Sequence, residues 1–256
     1  MKVHAIQLRT DLNEPIEERV ERAAALVAAQ RRADLVMLPE LWVQGGFAFD
    51  RFAHTAQEID GPAVTAMRNA AVASGIWLHA GSLVLRSPDG SLRNTALMIA
   101  PDGSIIAQYA KRHLFGFAGG ETTVLTAGDE LVTVDLPWFR AGLSICYDVR
   151  FPEMYRALLD LGSEVFLIPA AWPERRIAHW SLLIRARAVE NQAFVVACNG
   201  VGKQGDVDLG GYSAIIDPWG VTLAEGGCDE EVLVADINSK LVAKTRETFP
   251  VLKDRR

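Results

Sequence analysis

The stretch GLSICYDVRFPE, residues 142–153, places a cysteine at the point where an apolar run ends. RAGLSIC, residues 140–146, predicts a β-strand, and Pro152 predicts the start of a helix. A structural cysteine normally lies inside an apolar run, because a thiol packs as a small hydrophobic group. Cys146 lies at the exit of the run, with charged residues directly behind it. The stretch therefore predicts a strand that ends on a reactive thiol.

Outward from this stretch, short apolar runs alternate with helical patterns. Strands are predicted over residues 3–8, 34–40, 76–85, 93–100, 104–110, 165–169, 194–198 and 231–237, and a hairpin over 212–225. Helices are predicted after Asn13, which we expect to cap the first of them with Pro15 in its first turn, then over residues 62–74, 152–161 and 177–192 and from Ser239.

The strands are apolar on both faces, which is typical of sheets that are covered on both sides. The turns SPDG (87–90) and APDG (100–103) predict hairpins, whereas the helices between other strands predict crossovers. This mixture favours an α/β fold of two packed sheets flanked by helices, a four-layer α-β-β-α sandwich, with a doubly wound single sheet as the alternative. Because no linker is seen, we expect one domain over residues 1–256, with residues 239–256 as a C-terminal tail.

Composition and charge exclude several classes of function. The chain has 256 residues, half of them hydrophobic, and a net charge of −6. Lys and Arg are scattered, so we expect no nucleic-acid partner, and no apolar stretch is long enough to predict a membrane span. The N-terminus does not resemble a signal peptide, and three cysteines without CxxC spacing predict no disulfide framework. We therefore expect a soluble, reduced, cytoplasmic protein.

Three predicted strands each end on a chemically reactive residue. The strand before residue 40 delivers Glu40, the strand at 104–110 delivers Lys111, and RAGLSIC delivers Cys146. Each alone would usually be a solvated loop residue, but together they form a complete catalytic set. Glu40 can act as general base on the thiol, while Lys111 lowers the thiol pKa and donates to a developing oxyanion. The backbone N–H of Tyr147 can supply a second oxyanion donor.

Strand alternation also predicts the surroundings of the thiol. Gly142, Ser144 and Cys146 should share one face of the strand, opposite Leu143 and Ile145. Because glycine and serine are small, we expect them to leave room for a substrate beside the sulfur.

Three segments carry a family resemblance: LPELW around Glu40, YAKRHLF around Lys111 and SICYDVRFPE around Cys146. Their spacing is 111 − 40 = 71 and 146 − 111 = 35 residues, and they resemble the catalytic segments of the nitrilase superfamily of carbon–nitrogen hydrolases. The resemblance spans nearly the whole chain, including RARAVENQAFVVACN (185–199). It implies the α-β-β-α sandwich, a Glu–Lys–Cys triad, no cofactor, and a second pocket glutamate, Glu121, that positions the substrate or the lysine. The five histidines lack metal-ligand spacing, so no metal is expected.

The branch of the superfamily is indicated by CYDVRFPE and by AAWPERRIAHW (170–180), which are similar to omega-amidases. That resemblance implies hydrolysis of a dicarboxylic acid monoamide, such as 2-oxoglutaramate or 2-oxosuccinamate, to acid and ammonia through a thioester. Deaminated-glutathione amidases and N-carbamoyl amino acid amidohydrolases are alternatives within the superfamily. A non-catalytic binding protein on the same fold, or a Cys–His peptidase, are alternatives outside it.

A substrate carboxylate taken into a closed pocket requires a cation. Since Lys111 is committed to the oxyanion, we expect Arg175 or Arg176 to bind the carboxylate, because both follow a strand that should end at the same rim. Arg150 is expected to brace the nucleophile turn through an ion pair with a carboxylate such as Asp148 or Glu153, with substrate contact as the alternative. Trp172 is a candidate pocket wall or core residue.

The resemblance also implies a homodimer. The tail is apolar at Leu241, Val242, Phe249, Val251 and Leu252, and it could reach a partner copy. The alternative is that the tail packs on its own domain.

Overall fold

The computed structural model describes residues 1–117 and 119–256. Within them the strands are β1 (Lys2–Gln7), β2 (Leu35–Met37), β3 (Trp77–Arg86), β4 (Leu92–Ile99), β5 (Ile105–Ala110), β6 (Thr133–Asp135), β7 (Arg140–Leu143), β8 (Val165–Ala170), β9 (Phe194–Asn199), β10 (Val201–Gln204), β11 (Val207–Gly210), β12 (Ala214–Ile216), β13 (Thr222–Glu225) and β14 (Glu231–Asp236). The α-helices are α1 (Ile16–Ala28), α2 (Phe52–Thr55), α3 (Pro62–Ser74), α4 (Pro152–Asp160), α5 (Ile177–Asn191) and α6 (Ser239–Thr248).

In the described residues the strands form two six-stranded sheets built on the same plan, plus a two-stranded ribbon. The first sheet has the order β14-β1-β2-β3-β4-β5 and the second β13-β12-β9-β8-β7-β6. In each sheet three adjacent strands are parallel, β1-β2-β3 and β7-β8-β9, and the outer strands are antiparallel. The parallel strands are joined through helices, which cover the outer faces. The four-layer α-β-β-α prediction is confirmed, and the single-sheet alternative is wrong.

Packing follows the apolar pattern of the strands. Met37 and Met98 of the first sheet share one buried cluster with Leu167 and Val196 of the second, so the core lies between the sheets. A second cluster joins α1 and α3 to the outer face of the first sheet. No helix in the described part of the chain is both long and apolar enough to cross a bilayer.

The structure differs from the sequence prediction at several places. Asn13 does not cap α1; Pro15 occupies the capping position, without a side-chain hydrogen bond. The ribbon β10–β11, the short strand β6 and the helix α2 were not predicted, because their segments are short and lack a clear apolar period. The predicted strand at residues 140–146 ends earlier, at Leu143.

A bulge in β3 brings the first sheet close to the loop that carries Glu40. Gly81 has φ +64° at the point where the β3–β4 register shifts, and a Cβ there would overlap the carbonyl oxygen of Pro39. The next residue closes the contact, because the Ser82 N–H donates to Pro39 O (3.2 Å) and the Leu41 N–H donates to Ser82 Oγ (3.1 Å). The bulge therefore holds the chain on both sides of Glu40.

We predict that Gly81→Ala destabilises the protein much more than Gly75→Ala. Both glycines have a left-handed backbone, φ +64° and +66°, so both alanines incur a cost of about 1–2 kcal/mol. Only Gly81 also faces a clash, since no atom lies within 4 Å of a Cβ at Gly75. Overpacking should add about 1–3 kcal/mol to the loss in the free energy of unfolding. Urea unfolding of both variants measures the difference, and equal losses would contradict the role given to the bulge.

Candidate active site

Glu40, Lys111 and Cys146 meet at one end of the sandwich, where the strands that precede them terminate. Glu40 follows β2, Lys111 directly follows β5, and Cys146 follows β7, so two come from the first sheet and one from the second. All three side chains are buried. The Lys111 Nζ donates to Glu40 Oε1 at 2.7 Å. The structure thus brings the three residues of the predicted triad together.

The Glu40 carboxylate is held on both of its oxygens. Oε1 accepts from Lys111 Nζ and from Asn94 Nδ2 (2.8 Å), and Oε2 accepts from the Ala171 N–H (2.8 Å). Ala171 follows β8 of the second sheet. The Glu40 side chain therefore ties the two sheets together at the site.

Glu121 completes the group on the other side of Lys111. Its Oε2 accepts from Lys111 Nζ (2.7 Å) and from the Phe115 N–H (2.8 Å), and its Oε1 accepts from Asn94 Nδ2 (2.8 Å). It begins a 3₁₀ turn and is buried. The structure places this predicted fourth residue against the lysine.

Asn94 was not predicted as a site residue. It lies on β4, and the β4–β5 register pairs Thr95 with Ala110, so Asn94 comes to lie opposite Lys111. The Lys111 N–H donates to the Asn94 carbonyl at 2.9 Å. The APDG turn joins β4 to β5 and sets their register. Counting residues outward from this turn could therefore have identified Asn94 as the partner of Lys111.

The nucleophile turn begins at Cys146 with a left-handed backbone. Cys146 has φ +46°, a conformation that costs a non-glycine residue about 1–2 kcal/mol, and it opens a 3₁₀ turn that ends at Arg150. The Asp148 carboxylate accepts from the Ile145 N–H at 2.8 Å and so closes the turn. This turn rotates the thiol out of the strand direction and into the pocket.

The predicted surroundings of the thiol are wrong. Ser144 Oγ is hydrogen-bonded to the Tyr155 hydroxyl (2.8 Å), and a Cβ at Gly142 would contact Leu158, so both small residues face α4. They do not line the pocket. Alternation fails at Cys146 because the strand ends and the backbone turns before the cysteine.

Asp148 joins the nucleophile turn to the lysine loop. Besides Ile145, its carboxylate accepts from the Tyr109 hydroxyl (2.6 Å), the His113 N–H (3.0 Å) and the His113 ring, whose Nδ1 lies 2.7 Å away. The His113 ring stacks on Phe151 at a centroid distance of 3.8 Å. His113 therefore shapes the loop behind Lys111, and the central place of Asp148 was not predicted from the sequence.

Burial decides the charge states in the site. Burial, reinforced by the Glu40 charge, raises the pKa of the Cys146 thiol well above its ordinary value, and Lys111 offsets this only in part. Burial alone would lower the pKa of Lys111, but the Glu121 and Glu40 carboxylates outweigh it and raise that pKa. Burial also raises the pKa of Glu121, against the effect of Lys111. The predicted lowering of the thiol pKa by Lys111 is present, but burial and the Glu40 charge outweigh it, so the net shift of that pKa is upward.

The pocket above the thiol encloses about 420 Å³, counting the space in its open mouth. Its walls are aromatic and carry two guanidinium groups; among the described residues it is lined by Glu40, Gly46, Phe47, Phe49, Lys111, Phe115, Glu121, Cys146, Tyr147, Arg150, Ala171, Trp172, Pro173 and Arg176. No histidine is among these residues, which disfavours the Cys–His peptidase.

Arg150 lies over the Trp172 ring (4.8 Å from its centroid) and contacts His179, whose Nδ1 is 3.3 Å from Nη2. Neither Arg150 nor Arg176 forms an ion pair within residues 1–117 and 119–256. The expected ion pair of Arg150 is therefore wrong, because Asp148 is buried and already occupied by donors from other residues. A guanidinium without a carboxylate partner is left facing the pocket.

Arg175 and Arg176 point in different directions. They lie in one 3₁₀ turn, in which successive side chains are about 120° apart. Arg176 lies over the Phe115 ring, 5.5 Å from its centroid, and its carbonyl accepts from the Trp172 indole N–H at 2.8 Å. Arg175 lines a separate surface cleft with acidic neighbours. Only Arg176 of the two reaches the pocket.

Comparison with known proteins agrees with this architecture. Residues 2–247 match the family model of carbon–nitrogen hydrolases. The chain is 43% identical to a 2-oxoglutaramate amidase of Paenarthrobacter nicotinovorans, over 100% of this chain and 90% of that protein. It is 34% identical to an omega-amidase of Mus musculus, over 93% of this chain and 90% of that protein.

A solved structure is similar over the same length. It is a CN-hydrolase superfamily protein of Xanthomonas campestris with an arsenic adduct in its active site. The TM-score is 0.92 at 33% sequence identity, and the match covers 100% of this chain and 97% of that one. The chain belongs to the carbon–nitrogen hydrolase family and is an amide-hydrolysing, omega-amidase-like member of the nitrilase superfamily.

Proposed function

We propose that this enzyme hydrolyses the terminal amide of a short dicarboxylic acid monoamide, such as 2-oxoglutaramate or 2-oxosuccinamate. The observation that carries the proposal is one pocket with a thiol, a carboxylate and an ammonium among its lining groups and two guanidinium groups that have no carboxylate partner within residues 1–117 and 119–256. The names of the relatives from Paenarthrobacter nicotinovorans and Mus musculus support the same substrate class.

The first half of the reaction forms a thioester. Glu40 takes the proton of the Cys146 thiol as the sulfur attacks the amide carbon. The resulting oxyanion accepts hydrogen bonds from Lys111, whose ammonium has three N–H groups and uses two of them on Glu40 and Glu121. The Tyr147 N–H, which has no acceptor in the described residues, is the second donor. Glu121 holds Lys111 in place.

The second half regenerates the enzyme. Glu40 returns its proton to the nitrogen, the carbon–nitrogen bond breaks, and ammonia leaves. Glu40 then takes a proton from water, whose oxygen attacks the thioester carbon. The carbon–sulfur bond breaks, the product acid leaves, and the sulfur recovers its proton.

We predict that Cys146→Ala removes turnover, because Cys146 is the only thiol among the described residues that line the pocket. Ammonia release from a dicarboxylic monoamide should fall below a few per cent of the wild-type rate. The circular dichroism spectrum and melting temperature should be kept, since the change removes one sulfur atom. Cys228→Ala, an exposed cysteine, is the control and should keep full activity. Substantial turnover by Cys146→Ala would refute the mechanism.

The far carboxylate of the substrate is assigned to Arg176 and Arg150. Both line the pocket, and both are held by aromatic rings, Phe115 under Arg176 and Trp172 under Arg150. A guanidinium stacked on a ring keeps N–H groups for a carboxylate, and Arg150 uses only its contact with His179 elsewhere in the described residues. Trp172 also donates to the Arg176 carbonyl, so it fixes the loop that carries one of these cations.

We predict that Arg176→Ala and Arg150→Ala each lower kcat/KM for a dicarboxylic monoamide by about 2–4 kcal/mol, since each removes a charged partner of a buried carboxylate. For a neutral amide of equal length, kcat/KM should fall only slightly in both variants. Arg175→Ala is the matched control, because Arg175 is adjacent in sequence but lies outside the pocket. Equal losses on both amides, or a wild-type preference for the neutral one, would contradict the assignment.

A symmetric homodimer is also proposed. Apolar side chains are exposed on three segments of the described structure, which we group as one patch: Leu182 and Val189 of α5, Trp219, Val221 and Leu223 around the β12–β13 turn, and Phe249 and Val251 of the tail. The Phe249 ring stacks on Trp219 at 6.2 Å, and the turn at Gly220 lies against Val189, so the patch is continuous. Val242 is buried in the core of its own chain, so the first part of the tail anchors the second part beside this patch. A continuous patch of this kind is typical of an interface.

We predict that Val221→Asp dissociates the dimer and Val72→Asp does not. The two valines are matched in exposure, 55% and 51%, but Val72 lies on α3, away from the patch. A buried aspartate without a partner would be costly at the interface, whereas at Val72 it remains in solvent. Light scattering at micromolar concentration should give the mass of two chains for wild type and Val72→Asp, and of one chain for Val221→Asp. A wild-type monomer would refute the dimer.

We propose the cytoplasm as the location. All three cysteines are unpaired, and Cys146 must remain a reduced thiol to act as a nucleophile. The cytoplasm is the compartment that keeps thiols reduced.

A further inference from the structure

The side-chain amide of Asn94 lies between two carboxylates and gives one hydrogen bond to each. Its Nδ2 is 2.8 Å from Glu40 Oε1 and 2.8 Å from Glu121 Oε1. Lys111 bridges the same two carboxylates at 2.7 Å on the other side. The four side chains therefore form a closed ring of hydrogen bonds in the interior.

The ring leaves the two oxygens of Glu40 in different situations. Each carboxylate oxygen has two lone pairs, and both of those on Oε1 are taken by Lys111 and Asn94. Within residues 1–117 and 119–256, Oε2 accepts only the Ala171 N–H, so one of its lone pairs is open. Cys146, Glu40 and Ala171 line the same pocket, so the thiol lies beside this carboxylate and its Ala171 donor. The open lone pair on Oε2 is therefore available to accept the thiol proton.

Lysine alone does not hold this arrangement. Its ammonium is a point charge on a flexible stem that lies 2.7 Å from both Glu40 and Glu121, and a carboxylate rotates easily about its last bond. The planar amide of Asn94 fixes two N–H directions about 120° apart, one toward each carboxylate. The opposite flip of the amide is excluded, because it would set Oδ1 against two acceptors. In the described residues Oδ1 has no partner, so the amide gives up one hydrogen bond to keep this orientation.

We propose that Asn94 is a positioning residue that makes Oε2 of Glu40 the catalytic base by occupying Oε1 together with Lys111. This rests on the proposed role of Glu40 as the base. The titratable groups that face the ring are Glu40, Glu121, Lys111 and Cys146. A neutral donor at residue 94 leaves the ring with two negative charges and one positive charge.

The test measures the rate at which iodoacetamide alkylates Cys146 between pH 4.5 and 9, read by mass spectrometry at that residue. It requires no substrate, so it does not depend on the substrate assignment. The variants are Asn94→Ala, Asn94→Asp and Glu40→Gln. Thr95→Ala is the matched control, because Thr95 is the next residue of β4 and lines a surface cleft on the opposite face.

Asn94→Ala should slow alkylation at neutral pH at least about tenfold and move the acidic limb of the profile to higher pH by about one unit, because carboxylates that lose a donor bind protons more readily. Asn94→Asp should instead lose alkylation rate as the pH rises. It adds a third carboxylate that can donate only when the ring holds an extra proton, so its alkylation rate should reach its maximum at a lower pH than wild type. Thr95→Ala should follow the wild-type profile.

If Asn94 serves packing alone, its variants should be alkylated more slowly but with the pH dependence of wild type. A wild-type pH dependence in both Asn94 variants would overturn the proposal. If circular dichroism shows that Asn94→Ala does not fold, the pH profile of Asn94→Asp decides, because the aspartate side chain has the same shape as asparagine. Glu40→Gln separates the two claims, since it should abolish the acidic limb. An unchanged limb in Glu40→Gln would refute Glu40 as the base, whereas a lost limb there with unmoved Asn94 profiles would refute only the role of Asn94.

Discussion

The burial of Lys111 between two carboxylates is the interaction on which the site depends. Removing an ion from water costs several kcal/mol, and a buried charge is tolerated only when its partners and their remaining hydrogen-bonding groups are satisfied. Lys111 meets this condition through Glu40 and Glu121, both at 2.7 Å. The carboxylates in turn require donors of their own, which explains why the N–H groups of Ala171 and Phe115 converge on them.

These donors come from different parts of the fold, so the charged groups hold the two sheets in a fixed relative position. Glu40 leaves the first sheet and accepts from Ala171, which leaves the second. Asp148 performs a parallel task on the other side of the thiol, where it joins the nucleophile turn to the loop after Lys111. The reactive end of the sandwich is therefore a polar cross-link between two apolar sheets, and displacing one member disturbs the others.

The same burial shapes the chemistry. A thiol in this environment remains protonated, because burial and the Glu40 charge outweigh Lys111 and raise its pKa. The wall of the same pocket differs from its base: aromatic rings lie against Arg150 and Arg176, so the wall carries positive charge. A substrate that is an amide at one end and a carboxylate at the other matches this arrangement.

Much of the fold was predictable from local pattern. The bounds of α3 were predicted to the residue, and most strands to within two or three residues, because apolar period and turn residues report local conformation directly. The strand exits also identified Glu40, Lys111 and Cys146, since each stands at the end of an apolar run. The ribbon β10–β11 was missed because its strands have only four residues each and contain polar residues and glycine.

The amino-acid sequence by itself determined the alternating elements, the turns between them and the three reactive residues at strand ends. Tertiary structure alone decided which neighbours those residues have. It placed Asn94 opposite Lys111 through strand register, turned Ser144 toward α4, and separated Arg175 from Arg176 within one turn. The physical reason is that periodicity describes one segment at a time, whereas the direction of a side chain at a strand end depends on backbone angles and on partners distant in sequence. At Cys146, a single left-handed residue was enough to change the outcome.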